Sequence, residues 1–386
     1  MRYRISLVGL LVMVWLAGAV GISAQGAAGE IPTFRGDVAR SGVMPGPGPD
    51  GADIVERWRF AADGPVYSAP AVVDGVLYVG SVDRNVYALD AAHGEERWRF
   101  AAEGSVSSSP AVVGGRVYVG SDDGNVYALE AADGTEVWRF ATGLAIYSSP
   151  AVVEGTVYVG GDDGTLYALD SETGEERWRY ATREEIFSSP AVVDGVVYVG
   201  GWDGNVYALD AETGEERWRF ATERNVFATP AVVDGVVYIG SWDANLYALD
   251  AADGTQTWRF ATGGPISSSA AVADGVVYVG SDDEHVYAVD AASGEERWRV
   301  KAGGVVSSSP SVAGSSIYVG SWDRNLYALH AEDGSERWRF MTEDTVDTTA
   351  AVVDGVVYVG SADGNLYALE AAKSGTGTPG ATPTGG

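Results

Sequence analysis

Carboxylates recur in this chain at a fixed spacing, and a repeated carboxylate is a candidate for metal binding or acid–base chemistry. A calcium loop would need further oxygen ligands at set spacing, and these are missing. Hydrogen bonding of each carboxylate to its own turn backbone explains a residue shared by every copy better than one metal site does. The pattern therefore predicts a structural aspartate in eight equivalent turns: Asp83, Asp123, Asp163, Asp203, Asp243, Asp283, Asp323 and Asp363.

Histidine and cysteine, the other common residues of catalytic and metal sites, are scarce. His93, His285 and His330 stand in different turns, and the chain has no cysteine. Three scattered histidines give neither a metal triad nor a Ser-His-Asp set. Without cysteine there is no disulfide and no thiolate site. The sequence therefore predicts no catalytic residue and no metal site.

A repeat of 40 residues positions all of these side chains. Within it, short runs rich in Val, Ile and Tyr are separated by Asp-Gly or Thr-Gly, which is typical of antiparallel hairpins. In the copy that begins at Trp178 we predict strands A (186–193), B (196–200), C (205–210) and D (217–220). One tryptophan opens each copy, without insertion or deletion between copies: Trp58, Trp98, Trp138, Trp178, Trp218, Trp258, Trp298 and Trp338.

The displacement of strand D indicates how the chain ends meet. The first strand D, at 57–60, precedes any strand A, and no strand D follows the last strand C at 365–370. The N-terminal strand would then complete the last sheet. The sequence predicts an all-β fold, an eight-bladed β-propeller of four-stranded antiparallel blades. The eight tryptophans are predicted to pack between blades, where truncating one should cost roughly 3–5 kcal/mol.

Segments of different composition flank the repeats. Residues 1–24 have a basic start, an apolar run and small residues, which predicts a secretory signal peptide and export to the periplasm, cell surface or medium. An uncleaved membrane anchor is the alternative, and only then would a membrane be a partner. Residues 25–55 are a Gly- and Pro-rich irregular lead-in, 56–372 the propeller, and 373–386 a Gly/Thr/Pro tail predicted to be disordered.

The net charge is −29, and there are only two lysines. So acidic a surface repels phosphate backbones and anionic lipids, which excludes nucleic acid as a partner. Acidity of this degree favours solubility and resists association outside the cell. A basic partner protein or a bound cation is the other interpretation of the charge.

The repeat SSPAVVDGVVYVGSxDGNLYALDAxTGExxW resembles that of the pyrroloquinoline-quinone-type (PQQ-like) propellers. Their tryptophan-docking run is present here as Ala208, Asp210, Thr213, Gly214 and Trp218, and it is missing after the last strand C. The resemblance extends over nearly the whole chain and implies the propeller fold. It implies no single activity, because the family includes dehydrogenases, an outer-membrane assembly scaffold and extracellular sensor domains.

Function is expected where the copies differ, on the face that carries the D–A and B–C loops. Aromatic side chains together with arginine are enriched at interaction hot spots, so a group of them on this face predicts a binding site. The alternative explanation for the same residues is sequence drift in loops that the fold does not constrain. The candidate binding residues on this face are Arg183, Glu185, Phe187, Trp202, Arg224, Phe227, Trp242 and Trp322.

These observations predict an exported, non-catalytic binding or scaffold propeller without a cofactor, which presents this face to a protein or peptide partner. Two alternatives stay open. Resemblance to the dehydrogenases implies a quinoprotein dependent on PQQ and calcium, although the vicinal cysteines and loop insertions of those enzymes are absent. A sensor of a small ligand or carbohydrate would use the same aromatic residues.

Overall fold

The computed structural model describes residues 31, 33–51 and 53–372, so the predicted signal segment and tail lie outside the described residues. Within these ranges, 32 strands form eight four-stranded antiparallel sheets. Each sheet runs from strand A at the channel to strand D at the rim. The predicted all-β, eight-bladed propeller is therefore confirmed.

Strands A and B form the inner half of each blade. The A strands are β2 (Ala71–Val73), β6 (Ala111–Val113), β10 (Ala151–Val153), β14 (Ala191–Val193), β18 (Ala231–Val233), β22 (Ala271–Ala273), β26 (Ser311–Ala313) and β30 (Ala351–Val353). The B strands are β3 (Val76–Gly80), β7 (Arg116–Gly120), β11 (Thr156–Gly160), β15 (Val196–Gly200), β19 (Val236–Gly240), β23 (Val276–Gly280), β27 (Ser316–Gly320) and β31 (Val356–Gly360).

Strands C and D form the outer half. The C strands are β4 (Asn85–Asp90), β8 (Asn125–Glu130), β12 (Thr165–Asp170), β16 (Asn205–Asp210), β20 (Asn245–Asp250), β24 (His285–Asp290), β28 (Asn325–His330) and β32 (Asn365–Ala371). The D strands are β1 (Ile54–Ala61), β5 (Glu96–Ala101), β9 (Glu136–Ala141), β13 (Glu176–Ala181), β17 (Glu216–Ala221), β21 (Gln256–Ala261), β25 (Glu296–Lys301) and β29 (Glu336–Met341).

Closure of the ring follows the prediction. Blades 1 to 7 take consecutive strands from β2 to β29, whereas blade 8 consists of β30, β31, β32 and the N-terminal β1. Strand β1 pairs antiparallel with β32, with Trp58 opposite Ala368 and Ala61 opposite Asn365. The two ends of the propeller therefore share one sheet, and neither leaves a blade incomplete.

Strand A is shorter than predicted, since it begins at Ala191 rather than at residue 186. The preceding backbone is bonded differently. Pro190 has no N–H to donate, and the Ser189 N–H donates to Thr229 Oγ1 of the next blade at 3.1 Å. The Ser188 hydroxyl accepts the N–H of Gly200 at 3.1 Å, in place of a ladder bond. Side-chain hydroxyls thus replace strand pairing along the entrance to the channel.

Adjacent blades are joined by the tryptophan of strand D and the C–D turn of the next blade. Trp98 Nε1 donates to the carbonyl of Ala131 at 3.0 Å, and the Tyr78 hydroxyl donates to the same oxygen at 3.2 Å. Gly134 lies flat on the indole, because a Cβ there would come within 2.6 Å of the Trp98 ring. Seven tryptophans make this contact, namely Trp58, Trp98, Trp138, Trp178, Trp218, Trp258 and Trp298.

The interface between blades 7 and 8 lacks the contact, since β32 continues to Ala371 where the C–D turn would stand. Within the described residues, Trp338 Nε1 and the Tyr318 hydroxyl are buried without a hydrogen-bond partner. Gly48 of the lead-in packs on Tyr318 instead. An unsatisfied buried donor costs about 1–3 kcal/mol. Within the described residues, this interface therefore lacks the tryptophan hydrogen bond that the other seven have.

The hydrophobic core lies between blades rather than in one centre. In one cluster, Val206 and Ala208 of blade 4 pack with Val237 and Tyr247 of blade 5, all nearly inaccessible to solvent. Equivalent clusters recur around the ring. Each blade thus buries both of its faces against neighbours, as a repeat that cannot bury its own faces must.

The lead-in, expected to be merely irregular, closes the channel on the side opposite the D–A loops. The carbonyls of Val38, Ala39, Ser41 and Gly42 accept the N–H groups of Val192, Val232, Val272 and Val312 at 2.8–2.9 Å. Ile31 pairs with Val72 in the same way. The free edges of five A strands are thereby hydrogen-bonded rather than left open.

Two fully buried arginines anchor this segment. Arg40 donates to Thr33 Oγ1 and to the carbonyl oxygens of Phe34, Ser149, Pro150 and Pro190 at 2.6–3.2 Å. Arg35 donates in the same way to the carbonyls of Arg40, Ser269 and Ala270. Burial lowers the pKa of both guanidinium groups to about 9, so they stay charged at neutral pH. Their donors are used on backbone oxygens of the channel wall.

The glycine in the C–D turn gives a stability prediction. Gly214 has φ +73°, and an added Cβ would lie 2.7 Å from the Trp178 ring, so Gly214→Ala combines a left-handed strain with overpacking. Gly195 has φ +71° with open space around it, so Gly195→Ala carries the strain alone. We expect Gly195→Ala to cost about 1–2 kcal/mol and Gly214→Ala about 1–3 kcal/mol more, measured by urea unfolding. Equal losses in the two variants would contradict the docking role of Gly214.

Candidate functional site

A funnel of about 680 Å³ opens at the centre of the face that carries the D–A and B–C loops. Two positions of the repeat line it in all eight blades. The outer position is occupied by Tyr67, Ser107, Tyr147, Phe187, Phe227, Ser267, Ser307 and Asp347. The inner position is occupied by Ala69, Ser109, Ser149, Ser189, Thr229, Ser269, Ser309 and Thr349. Phe34 of the lead-in also lines the funnel.

The inner position forms a hydroxyl ring that binds blade to blade. In six of the eight members the backbone N–H donates to the hydroxyl of the residue 40 positions later, as from Ser109 to Ser149 and from Ser149 to Ser189. Six such bonds of 2.9–3.1 Å run from Ala69 to Ser309. These hydroxyls therefore hold the ring together, and the outer position is the part of the wall that can vary.

The repeated aspartate of the B–C turn is structural, as its hydrogen bonds show. Asp83 Oδ1 accepts the N–H of Asn85 at 2.9 Å, which confirms the predicted bond to the turn backbone. Its Oδ2 accepts the Tyr87 hydroxyl at 2.7 Å and the N–H of Asp63 at 2.9 Å. The tyrosine bond recurs in every copy. These carboxylates fix the D–A loop to the B–C turn and so fix the rim.

Four of the predicted candidates come together as one aromatic cluster: Phe187, Trp202, Phe227 and Trp242. The ring centroids of Phe187 and Trp202 are 5.0 Å apart, and those of Trp202 and Trp242 are 4.8 Å apart. Phe227 is 41% exposed and stands 5.7 Å from Phe187. Tyr147, which was not among the candidates, extends the cluster at 5.7 Å from Phe187. Tyr147 could have been found from the sequence, because it occupies the same position of the repeat as Phe187 and Phe227.

The other candidates lie elsewhere on the rim. Trp322 lines the funnel in blade 7, where its Nε1 donates to Ser307 Oγ at 2.9 Å and to Asp347. It is 53% exposed and stands apart from the aromatic cluster. Arg183 and Arg224 are exposed loop residues that do not line the funnel. Glu185 is half-buried beside Asp162.

Two carboxylates next to the aromatic cluster were also missed by the sequence analysis. Asp122 lines the funnel and Asp162 stands beside it in the next blade. Oδ1 of each is shielded from solvent and has no hydrogen-bond partner among the described residues. Burial, reinforced by Glu185, Asp122 and Asp163, raises the pKa of Asp162 to about 6, and burial also raises the pKa of Asp122. Each occupies the B–C position that holds Trp202 and Trp242 in blades 4 and 5.

The donor set of the funnel does not fit a bound PQQ or its metal. PQQ is a tricarboxylate and requires cationic or N–H donors, but no basic side chain lines the funnel. The arginines below it use their donors on backbone carbonyls. In the described ranges, His, Asp and Glu side chains form no group of three or more that could hold a metal ion.

The described ranges also contain no helix long and apolar enough to cross a membrane.

Comparison with known proteins gives a family and a set of structures. A family model described as outer membrane protein assembly factor BamB matches residues 50–145, 122–241, 186–269 and 243–376. No curated protein matches the sequence.

Solved structures of similar shape include BamB from Moraxella catarrhalis, 22% identical with a TM-score of 0.73, covering 82% of this chain and 99% of that one. Quinohemoprotein alcohol dehydrogenase from Comamonas testosteroni is 19% identical with a TM-score of 0.77, over 92% of this chain and 83% of that one. The computationally designed Ika8 protein is 18% identical with a TM-score of 0.73, over 80% and 97%. At these identities the likeness shows the fold alone.

The raised pKa of Asp162 gives a prediction about pH. In the unfolded chain this carboxyl titrates near its usual value of about 4, so its ionisation penalises the folded state progressively between about pH 4 and pH 6. We expect Asp162→Asn to raise the melting temperature at about pH 7.5 and to raise it less at about pH 4.5. Glu212→Gln, an equal charge change at an exposed turn, serves as the control. A gain that is the same at both pH values would contradict the burial argument.

Proposed function

The chain belongs to the family described as outer membrane protein assembly factor BamB, and we propose that it is a non-catalytic binding propeller that holds a protein or peptide partner on its funnel face. The observation that carries the proposal is the aromatic cluster in the wall of the funnel. Tyr147, Phe187, Phe227 and Trp242 line one continuous cavity, and Tyr147 and Phe227 are about 40% exposed. Aromatic side chains gathered in a concave, partly desolvated site supply most of the affinity in many interfaces.

The surrounding bonds support a rigid binding surface. Trp242 Nε1 donates to Ser267 Oγ at 3.1 Å, and Asn225 Nδ2 donates to the Trp202 carbonyl at 2.6 Å. The loops beneath are fixed by the repeated aspartates and the hydroxyl ring. A preorganised surface loses little side-chain entropy when a partner binds, which strengthens binding for a given contact area.

A binding role also agrees with the way polar groups are used. The repeated aspartates accept N–H and O–H groups of their own loops, and the inner serines bond from blade to blade. His93 bonds Asp90 on the opposite face, and His285 bonds the Asp283 backbone. Within the described residues these groups serve the fold, which agrees with a funnel wall whose aromatic side chains do the binding.

Export is part of this proposal. It rests on the signal-like composition of residues 1–24, which lie outside the described residues. The net charge of −29 would keep such a propeller soluble and would attract basic partners at long range.

Partner capture tests the proposed face. We expect immobilised wild-type propeller to retain a specific protein from an extract of the source cells, and the double variant Trp202→Ala/Trp242→Ala to retain at most about a tenth as much. Val43→Ala, at an exposed apolar residue of the lead-in on the other side of the channel, should retain the wild-type amount. Thermal melts establish that all three proteins are folded. Recovery of every partner by the double variant at the wild-type level would show that this surface is the wrong one.

A second measurement tests the absence of catalysis. Because the funnel offers no basic side chain for a tricarboxylate, adding PQQ with calcium to the purified protein should change neither the melting temperature nor the reduction of an electron-accepting dye in the presence of an alcohol. Calcium alone is the control. A rise in both melting temperature and dye reduction would overturn the non-catalytic proposal in favour of a quinoprotein.

A further inference from the structure

The wall of the funnel is chemically uneven, and its unusual part lies in blades 2 to 5. Tyr147, Phe187 and Phe227 occupy the outer position in three consecutive blades, where blades 2, 6 and 7 have serine. Asp122 lines the funnel at one end of this run, and Trp242 lines it at the other. An aromatic wall that ends in a carboxylate is the usual composition of a site for an organic cation, because the ring faces and the carboxylate both attract positive charge.

The carboxylates at this end are not compensated by the protein. Oδ1 of Asp122 and Oδ1 of Asp162 are shielded from solvent and unpartnered within the described chain. Three charged groups raise the pKa of Asp162 beyond the effect of burial, and all three are acidic. Asp163 belongs to the same turn, Asp122 to the B–C turn of blade 2, and Glu185 to the D–A loop that leads into blade 4. Burial raises the pKa of Tyr147, and Asp122 and Asp162 lie close enough to raise it further. A shielded carboxylate oxygen without a donor is costly, and a cation bound in the funnel beside Asp122 would offset part of that cost through its charge.

Another carboxylate in the wall of the funnel, Asp347 of blade 8, has its hydrogen bonds satisfied within the protein. Asp347 occupies the outer position in blade 8 and accepts hydrogen bonds from Ser307 Oγ, Thr345 Oγ1 and Trp322 Nε1. Its charge is therefore already met by donors. Asp122 has only the side chain of Ser105 as a nearby donor, and Oδ1 of both Asp122 and Asp162 lacks a partner among the described residues, so these carboxylates differ from Asp347.

Positive charge beneath the funnel does not alter this conclusion. Arg35 and Arg40 are completely buried, and their guanidinium groups donate to carbonyls of the channel wall. Among the described residues, Asp37 is the carboxylate that acts on both of them. Because both guanidinium groups are buried, they offer no accessible donor to an anion in the funnel.

From this arrangement we infer that the funnel receives a cationic side chain, lysine or arginine, from an extended segment of a partner protein, with the cation seated against Tyr147 and Phe187 and paired with Asp122, while the charge of Asp162 beside the funnel adds to the attraction. This inference rests on the proposed binding function and names the chemistry of its ligand. The cavity of about 680 Å³ is far larger than one ammonium group, which favours a side chain that brings peptide with it. The net charge of −29 steers such a segment towards the protein.

Short capped peptides test the inference by calorimetric titration at low salt. The probes are acetyl-Gly-Lys-Gly-amide, the arginine analogue, a norleucine analogue that keeps the chain length but not the charge, a glutamate analogue, and tetramethylammonium chloride. We expect the lysine or arginine peptide to bind at least about tenfold more tightly than the norleucine peptide, because norleucine loses both the cation–aromatic contact and the ion pair. Lowering the pH through about 6 should weaken it, as Asp162 becomes protonated.

Variants separate the carboxylates from the rest of the fold. Asp122→Asn/Asp162→Asn should reduce the preference for the charged peptide to about twofold or less, because the paired charges are gone. Asp282→Asn is the matched control, since Asp282 holds the same B–C position, also has a shielded oxygen without a partner among the described residues, and stands in blade 6, four blades away from Asp122. It should keep the full preference.

Each contrary result has a distinct meaning. Equal binding of the lysine and norleucine peptides would overturn the cation inference and leave the proposed peptide-binding function standing. Tighter binding of the glutamate peptide, or binding of tetramethylammonium as tight as that of the peptides, would overturn the assigned occupant. If none of the peptides binds, the inference fails, while the capture experiment with Trp202→Ala/Trp242→Ala still decides the proposed function independently.

Discussion

The contact between an indole and the backbone of the next blade is the interaction on which this structure depends. Each docked tryptophan donates one hydrogen bond to a carbonyl and lies flat on a glycine, so the distance and tilt between blades are set at the same point in every copy. An indole buried in this way contributes a large apolar area and a satisfied N–H together. Because the contact recurs every 40 residues, eight copies close into a ring without a special joint, apart from the one where the chain ends.

The ends of the chain show the limit of that repetition. Strand β1 supplies the outer strand of blade 8, and its Trp58 docks on blade 1 through the Ala91 carbonyl. Strand β32 continues to Ala371, and Trp338 Nε1 has no hydrogen-bond partner among the described residues. The lead-in contributes Gly48 to this interface instead and also binds the inner edges of five blades. Closure of the ring therefore depends on the lead-in as well as on strand β1.

Strand number, order and closure were predictable because they follow from the period, the turn residues and the displaced strand D. Strands B and C were predicted to the residue in the copy from 196 to 210, because Asp-Gly turns mark their ends. Strand A was predicted too long, since Ser188 and Ser189 bond to atoms distant in sequence. The buried arginines of the lead-in were not foreseen for the same reason. A repeat pattern reports what each copy does alike, and it contains no information on a segment that is present once.

The aromatic residues of the candidate site could be predicted from the sequence, and its two carboxylates could not. Phe187, Trp202, Phe227 and Trp242 could be grouped from the sequence, because equal positions in neighbouring copies must be neighbours in a ring. Asp122 and Asp162 could not be recognised, since they resemble the structural aspartates that follow them, Asp123 and Asp163, and only their hydrogen bonds tell the two kinds apart.

That distinction bears on function. The inner hydroxyls and the repeated aspartates are nearly invariant between copies because every blade needs them, so a difference at the outer position is free of that constraint. Aromatic and acidic residues also line other parts of the rim, as Tyr67, Trp322 and Asp347 do. In blades 3 to 5, however, three aromatic side chains stand in consecutive blades, next to Asp122 and Asp162, whose Oδ1 atoms have no partner among the described residues. A costly group beside a concave aromatic wall is the arrangement expected where a site has been kept for a ligand.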